Sequence, residues 1–158
     1  MPSVQSIRTD LYSEYKAADL SDDLAINLAD GNIRSGSTVP IKRNVDQGET
    51  LYKFVPSNNA PGRSSYYFTK SEVEYFKSNP EKLAQEAGLP YKNFVGSYDV
   101  YAINPRPGAR PAVFESKVAG IKEGGYTAKG GARQTIVPNL KNWSVPEKVD
   151  VLRVYGSE

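Results

Sequence analysis

The side chains of this chain that could do chemistry are carboxylates, amides, tyrosines, lysines and arginines, because its 158 residues include no histidine and no cysteine. That composition excludes thiolate nucleophiles, zinc–thiolate sites and the imidazole base that most enzymes use near neutral pH. Any enzyme built on this chain must therefore use those remaining groups.

The first candidate site is the turn Gly130-Gly131-Ala132-Arg133-Gln134. Paired glycines let a backbone approach a ligand closely and expose N–H groups to an anion, and Arg133 is able to hold a phosphate bidentately. Gln134 begins a predicted strand, where its amide would be held in one direction. The Gly-Lys-Ser/Thr ending of phosphate-binding loops is missing. By spacing alone, an ordinary hairpin loop is the favoured interpretation.

A second candidate segment combines a cation, hydroxyls and aromatic rings in Arg63, Ser65, Tyr66 and Tyr67. A flat base could stack on a tyrosine ring while Arg63 contacts a phosphate. The favoured alternative is an ordinary strand with tyrosines in the core. Lys53, on the preceding predicted strand, is either a phosphate contact or a solvent-facing residue.

Glu115 is a carboxylate inside an otherwise apolar predicted strand. Such a group could stabilise an oxocarbenium-like sugar or bind ribose hydroxyls. It could equally pair with a lysine or arginine on a neighbouring strand. The sequence leaves both interpretations open.

The helices and strands predicted around these residues indicate an α+β fold with N-terminal and central helices. Apolar periodicity indicates helices over residues 3–30, with Ser21 as an N-cap and Gly31 as a stop, and then a loop over 31–48. Thr69 and Glu72 have the spacing of a capping box at the start of a central helix. About six mostly antiparallel strands, forming a small sheet or barrel-like core, are predicted over residues 50–56, 64–68, 97–103, 112–119, 133–138 and 149–155, with a glycine-rich loop over 120–131.

The length favours one compact unit, in which residues 1–48 form a helical extension and linker and residues 49–158 carry the site. The net charge of +2 is too small to indicate nucleic acid from charge alone. No apolar run approaches the length of a membrane span. Residues 1–10 lack the basic and apolar regions of a signal peptide, so export would need another route or a longer parent chain.

Five segments of the chain occur in an order that resembles the tuberculosis necrotizing toxin family. They are Leu51-Tyr52-Lys53-Phe54, Gly62-Arg63-Ser64-Ser65-Tyr66, Tyr98-Asp99-Val100-Tyr101, Glu115-Ser116-Lys117-Val118-Ala119 and Gly130-Gly131-Ala132-Arg133-Gln134. The resemblance runs roughly from Gly48 to Val154 and does not include the N-terminal helices. Its most specific part is the Glu-x-x-Val-Ala strand followed by the Gly-Gly-x-x-Gln turn.

That family consists of toxin domains that hydrolyse NAD at the nicotinamide–ribose bond, usually at the C-terminal end of larger secreted proteins. The resemblance implies a toxin of interbacterial competition that is secreted or delivered into a target cell and acts in its cytoplasm. It implies NAD(P) as the substrate, no separate cofactor and no metal, and a dedicated immunity protein as partner.

Carried over residue by residue, the resemblance implies that Gln134, Lys53 and Tyr66 are catalytic. Gln134 matches the family's functional glutamine, Lys53 stands where the family has an arginine, and the family's tyrosine falls at Tyr66 or Tyr67. Asp99 occupies the place of a family histidine, which leaves ADP-ribosyl transfer as an alternative reaction. The substrate-binding set is Arg63, Ser65, Tyr67, Glu115, Gly130, Gly131 and Arg133.

Two other kinds of function remain open from the sequence. A small ribonuclease toxin could work with lysine, arginine and aspartate side chains, so nucleic acid is not excluded as a substrate. A binding module could hold a protein partner through its tyrosine-rich strands, since the chain has 11 tyrosines.

Overall fold

The structure of the protein is a computed structural model that describes residues 3–62, 64–87, 96–123 and 126–153. Its helices are α1 (Val4–Ala17), α2 (Asp22–Arg34), α3 (Lys70–Ser78) and the single turn α4 (Leu83–Glu86). Its strands are β1 (Ile41–Asn44), β2 (Leu51–Pro56), β3 (Tyr66–Tyr67), β4 (Ser97–Ile103), β5 (Ala112–Lys117), β6 (Ile121–Glu123), β7 (Tyr126–Ala128), β8 (Arg133–Ile136) and β9 (Glu147–Arg153).

The strands form two antiparallel sheets and a separate hairpin. The larger sheet has the order β1-β5-β8-β3, the smaller has the order β2-β4-β9, and β6 pairs with β7. The predicted α+β class is therefore confirmed. The barrel-like core is wrong, because both sheets keep free edges among the described residues, where nine strands replace the predicted six.

The second N-terminal helix, α2, begins where the sequence predicts and ends later. The Ser21 hydroxyl caps α2 by accepting the backbone N–H of Leu24 at 3.3 Å. Gly31 does not stop this helix, which continues to Arg34. The extra turn carries Asn32, whose side chain is buried and hydrogen-bonded to residues outside the helix. Those tertiary contacts outweigh the low helix propensity of glycine.

Three strands lie in segments that the sequence predicts to be loops. β1 lies within residues 31–48 and pairs with β5 in the register Arg43↔Val113. β6 and β7 lie within the glycine-rich segment 120–131. The side chains of β1 are mostly exposed, so the segment lacks the apolar alternation by which a strand is recognised. Backbone pairing defines these elements instead, with the distant strand β5 for β1 and between neighbours in one hairpin for β6 and β7.

The central helix α3 begins with the predicted capping box. The Glu72 carboxylate accepts the backbone N–H of Thr69 at 3.3 Å. Val73 and Phe76 are buried in one hydrophobic cluster with Leu83 of α4, Tyr98 of β4 and Leu152 of β9. Helices α3 and α4 therefore cover the face of the smaller sheet that carries Tyr98 and Val100.

The larger sheet packs on both faces. On one side Phe114 and Ile136 contact α1 and α2 through Ile7, Leu11 and Ala29. On the other side a second cluster joins it to the smaller sheet; its buried members are Val45, Leu51, Tyr67, Ile103, Val113, Val137 and Trp143. Because side chains alternate along a strand, neighbouring residues of β8 and of β3 face opposite layers.

Candidate functional site

Gln134 lies on β8 with its side chain directed toward the N-terminal helices, as Ile136 is. The side chain is buried, with 5% exposed. Its amide nitrogen Nε2 donates to the hydroxyls of Ser35, at the end of α2, and Ser116, on β5, each at 3.1 Å. Ser116 is the cross-strand neighbour of Gln134. A helix and two strands therefore fix one polar side chain.

A second polar cluster lies beside it, on the same turn of α2. The buried Asn32 accepts a hydrogen bond from the Tyr15 hydroxyl at 2.6 Å and donates to the Tyr66 hydroxyl at 3.0 Å. The Tyr15 hydroxyl also lies 3.0 Å from the Ser65 hydroxyl. Burial raises the pKa of Tyr15 to about 12, so this phenol is protonated throughout the physiological range. Ser65 and Tyr66 are thus held by α1 and α2.

Gly130 and Gly131 use their N–H groups within the protein. The N–H of Gly130 donates to the carbonyl of Gln85 at 2.8 Å, and that of Gly131 donates to Val118 at 2.9 Å. Gly130 has φ +72°, and a Cβ there would lie 2.5 Å from the Val118 carbonyl oxygen. The absence of a side chain at Gly130 therefore lets its backbone pack closely against residues 118 and 119. The N–H groups of both glycines point at protein carbonyls and do not face an anion.

Glu115 and Arg133 lie on the other face of the larger sheet from Gln134. Arg43 on β1 contacts the Glu115 carboxylate at 3.2 Å and that of Glu49 at 2.5 Å. The hydrogen bond to Glu49 raises the pKa of Arg43 above its ordinary value. Glu115 therefore pairs with an arginine on a neighbouring strand, which is one of the two interpretations that the sequence left open. Arg133 is exposed.

Lys53 is buried between the two sheets, with 6% exposed. Its ammonium group donates to the carbonyls of Ser64 at 2.6 Å and Gly62 at 3.3 Å, and it lies 4.6 Å from the centre of the Tyr67 ring. Burial lowers the pKa of Lys53 to about 8. Tyr67 is itself 1% exposed, so its ring is a core group. Arg63, predicted to hold a phosphate, lies outside the described residues.

Asp99 is a buried carboxylate at the end of the smaller sheet, with 5% exposed. It accepts a hydrogen bond from the Ser57 hydroxyl at 3.0 Å and lies 3.4 Å from the Lys148 ammonium. Ser97 donates in turn to Ser57 at 2.6 Å. These contacts compensate the burial of the charge and hold the start of the segment that leads from β2 to β3.

The structure therefore divides the predicted site residues between two layers. Gln134, Tyr66 and Ser65 meet at the C-terminal turn of α2, between the helices and the larger sheet. Lys53 and Tyr67 meet between the two sheets. The sequence could not separate these groups, because the layer that each strand face contacts depends on the packing of the whole domain.

The sequence prediction missed the partners that hold Gln134 and Tyr66, namely Asn32, Ser35 and Ser116. Asn32 did carry a signal. It follows Ala25 and Ala29 at helical spacing on the buried face of α2. A polar residue on a buried helical face needs a hydrogen-bonding partner, and so predicts a contact that is specific rather than merely apolar.

Lys53 leads to a prediction about pH. In the folded protein its pKa is about 8, whereas the group ordinarily titrates at 10.5. Between these values the unfolded chain binds a proton at Lys53 that the folded protein does not, so the free energy of unfolding rises with pH. Burial raises the pKa of Tyr67 from 10.0 to about 12, so this phenol opposes the trend only where the unfolded chain begins to lose the same proton, near pH 10.

We therefore expect the difference in melting temperature between the wild type and Lys53→Met to change in favour of the wild type as pH rises from about 8 to about 10. Differential scanning calorimetry of both proteins across this range measures it, and the comparison removes the titration of every other group. A constant difference would mean that the ammonium is no more desolvated in the fold than in the unfolded chain.

The described residues contain no group of three or more histidine, cysteine, aspartate or glutamate side chains able to hold a metal ion. Among those same residues, every helix is too short or too polar to span a bilayer.

Comparison with known proteins gives matches at the level of structure. Neither a protein-family model nor a curated protein matches the sequence. The fold is similar to that of Tse6. The structure of Tse6 in complex with Tsi6 has a TM-score of 0.51 at 12% identity, covering 89% of this chain and 93% of that chain.

Two further solved structures are similar at lower scores. Rhs1-CT in complex with its cognate immunity protein RhsI1 has a TM-score of 0.49 at 20% identity, covering 75% of this chain and 83% of that one. Tne2 in complex with Tni2 has a TM-score of 0.48 at 12% identity, covering 73% of this chain and 94% of that one. The similarity to Tse6 includes most of both chains, and at 12% identity it is a similarity of fold alone.

Proposed function

We propose that this chain is a toxin domain that hydrolyses NAD(P) at the nicotinamide–ribose bond, releasing nicotinamide and ADP-ribose or its phosphorylated form. Water adds to the anomeric carbon and one proton is released. The proposal combines the sequence resemblance to NAD-hydrolysing toxins with a fold similar to that of Tse6. It places the action in the cytoplasm of a target cell, with an immunity protein as the neutralising partner.

One observation carries the proposal: the amide of Gln134 is buried and held in a single orientation. Its nitrogen donates to two hydroxyls, while its carbonyl oxygen accepts no hydrogen bond from any described residue. That oxygen is suited to accept a hydrogen bond from a ribose hydroxyl or from the attacking water. A buried, preoriented dipole acts more strongly than a solvated one, because it does not reorganise during the reaction.

The reaction suits a chain without histidine or cysteine. Nicotinamide leaves as a neutral group from a cationic ring, so the leaving group needs no acid. The protein has to hold the substrate, exclude bulk water and stabilise the positive charge that develops on the ribose. A dipole directed at the ribose, such as the carbonyl of Gln134, is one way to do so.

The test is to incubate the purified protein with NAD and with NADP and to measure free nicotinamide by chromatography. We expect release to be proportional to enzyme concentration and to need no metal. Absence of release from a protein with a normal circular dichroism spectrum would reject the hydrolase. Release that requires an added protein acceptor would replace hydrolysis with ADP-ribosyl transfer.

The partner is tested in cells. Induced expression of the chain in bacteria is expected to lower NAD content before growth stops, and co-expression of a cognate immunity protein is expected to restore both. Degraded tRNA or rRNA with unchanged NAD would instead identify a ribonuclease. Expression without toxicity would favour a binding module.

A further inference from the structure

The C-terminal turn of α2 is fixed in position on the larger sheet. The carbonyl of Ser35 accepts the N–H of Ala119 at 2.9 Å, and the N–H of Ser37 donates to the carbonyl of Lys117 at 2.8 Å. Gly36, between them, forms a bridge with Val118. Backbone hydrogen bonds on both sides of Gly36 hold the end of the helix in one register against the strand that carries Ser116.

Gly36 also brings this turn close to Ser116. A Cβ on Gly36 would lie 2.8 Å from the Ser116 hydroxyl and 3.2 Å from the carbonyl oxygen of Lys117. No side chain therefore separates the turn from the strand at this point. The hydroxyls of Ser35 and Ser116 both reach the amide nitrogen of Gln134.

The Ser35 hydroxyl determines which end of the Gln134 amide faces the helix. A hydroxyl has one proton, and that of Ser35 is donated to the carbonyl of Asn32 at 2.9 Å. Toward Gln134 it is left only as an acceptor. The nitrogen of the amide must therefore point at Ser35, which turns the carbonyl oxygen away from the helix.

Asn32 extends the same arrangement to the second polar cluster. Its side-chain oxygen accepts the Tyr15 hydroxyl at 2.6 Å, and its nitrogen donates to Tyr66 at 3.0 Å and to Ser65 at 3.3 Å. Since Asn32 is 1% exposed, these hydrogen bonds replace water that the group has lost. One helical turn thus holds all three predicted site residues that face the helices, Gln134, Tyr66 and Ser65.

We propose that Ser35 is a positioning residue for Gln134, with Asn32 supporting it, and that the N-terminal helices are part of the active site. The inference rests on the proposed function, because it makes the orientation of Gln134 a requirement for nicotinamide release. Ser35 does not touch the substrate. It acts by accepting the hydrogen bond that fixes the amide.

Replacement of Ser35 by alanine removes that acceptor. We expect kcat for nicotinamide release to fall about tenfold, the cost of one neutral hydrogen bond, with KM little changed. Ser35→Thr keeps the hydroxyl and is expected to retain most of the activity. Ser37→Ala is the matched control, because Ser37 is exposed on the same turn and contacts the sheet through its backbone. An equal loss in Ser37→Ala would overturn the proposal.

A double substitution separates positioning from a general effect on the fold. Ser35→Ala is expected to cause no further loss in a Gln134→Ala background, because the residue through which it acts is gone. A second tenfold loss in that background would overturn the proposal.

The side-chain amide of Gln134 provides a readout that does not depend on activity. Its two N–H signals, assigned from the Gln134→Glu spectrum, are expected to move in Ser35→Ala and to stay in place in Ser37→Ala. Should Ser35→Ala fail to fold, Ser116→Ala removes the other hydroxyl and is expected to move the same signals. A wild type that releases no nicotinamide refutes the proposed function alone. Unmoved amide signals in the folded variant refute the positioning role, whatever the activity.

Discussion

Replacing Gln134 with alanine is expected to lower kcat/KM for nicotinamide release about 100-fold or more, the effect of losing one preoriented dipole at a reacting centre. The carbonyl of this side chain is the proposed contact to the ribose or to the attacking water. Alanine removes this carbonyl. It also removes the amide nitrogen that donates hydrogen bonds to the hydroxyls of Ser35 and Ser116. Some loss of stability is therefore also expected, of about 1 to 3 kcal/mol.

The measurement is steady-state release of nicotinamide, with urea denaturation to confirm that the variant is folded under assay conditions. Gln5→Ala is the matched control, because it replaces the same side chain at an exposed position of α1. Its activity is expected to equal that of the wild type. Retention of more than about half of the activity in Gln134→Ala would contradict the role proposed for the amide.

Gly130→Ala is expected to reduce the free energy of unfolding by about 3 to 5 kcal/mol. Two effects add: a side chain at φ +72° costs about 1 to 2 kcal/mol, and the new Cβ would lie 2.5 Å from the carbonyl oxygen of Val118. The neighbouring backbone of Ala119 is 2.8 Å away, so the clash is with atoms that cannot move as a side chain can. The turn must deform to accept the substitution.

Gly131→Ala is the comparison that isolates the close approach. Gly131 also has a positive φ, +103°, but a Cβ there would meet nothing within 4 Å. The expected loss is about 1 to 2 kcal/mol, from backbone strain alone. Urea denaturation monitored by circular dichroism measures both variants. Equal losses would show that the approach to residues 118 and 119 does not constrain Gly130.

For these two glycines, the backbone conformation could be predicted from the sequence, whereas the partners of their N–H groups could not. The sequence indicates a turn with special backbone geometry, and positive φ values at Gly130 and Gly131 confirm it. The expectation that their N–H groups face an anion does not follow from the turn itself. In the fold, those groups pair with carbonyls of Gln85 and Val118, which are 45 and 13 residues away in the sequence.

Local features of the fold could be predicted from the sequence because local interactions produce them. The N-cap at Ser21 and the capping box at Thr69 depend on hydrogen bonds between residues three apart. The burial of Leu51 and Val55 on one face follows from the period of a strand, whereas the burial of Lys53 on that face does not follow from its residue type. The α+β class follows from the succession of such elements.

Tertiary structure alone decided which of the predicted residues come together and which partners hold them. The strand period places Gln134 and Thr135 on opposite faces, yet it does not say which face meets the helices. That choice is made by the packing of Phe114 and Ile136 against α1 and α2. It brings Ser35 to Gln134 across 99 positions of sequence. Hydrogen bonds between residues so far apart depend on how all the layers of the fold pack together. That packing cannot be predicted from the periodicity of any one segment.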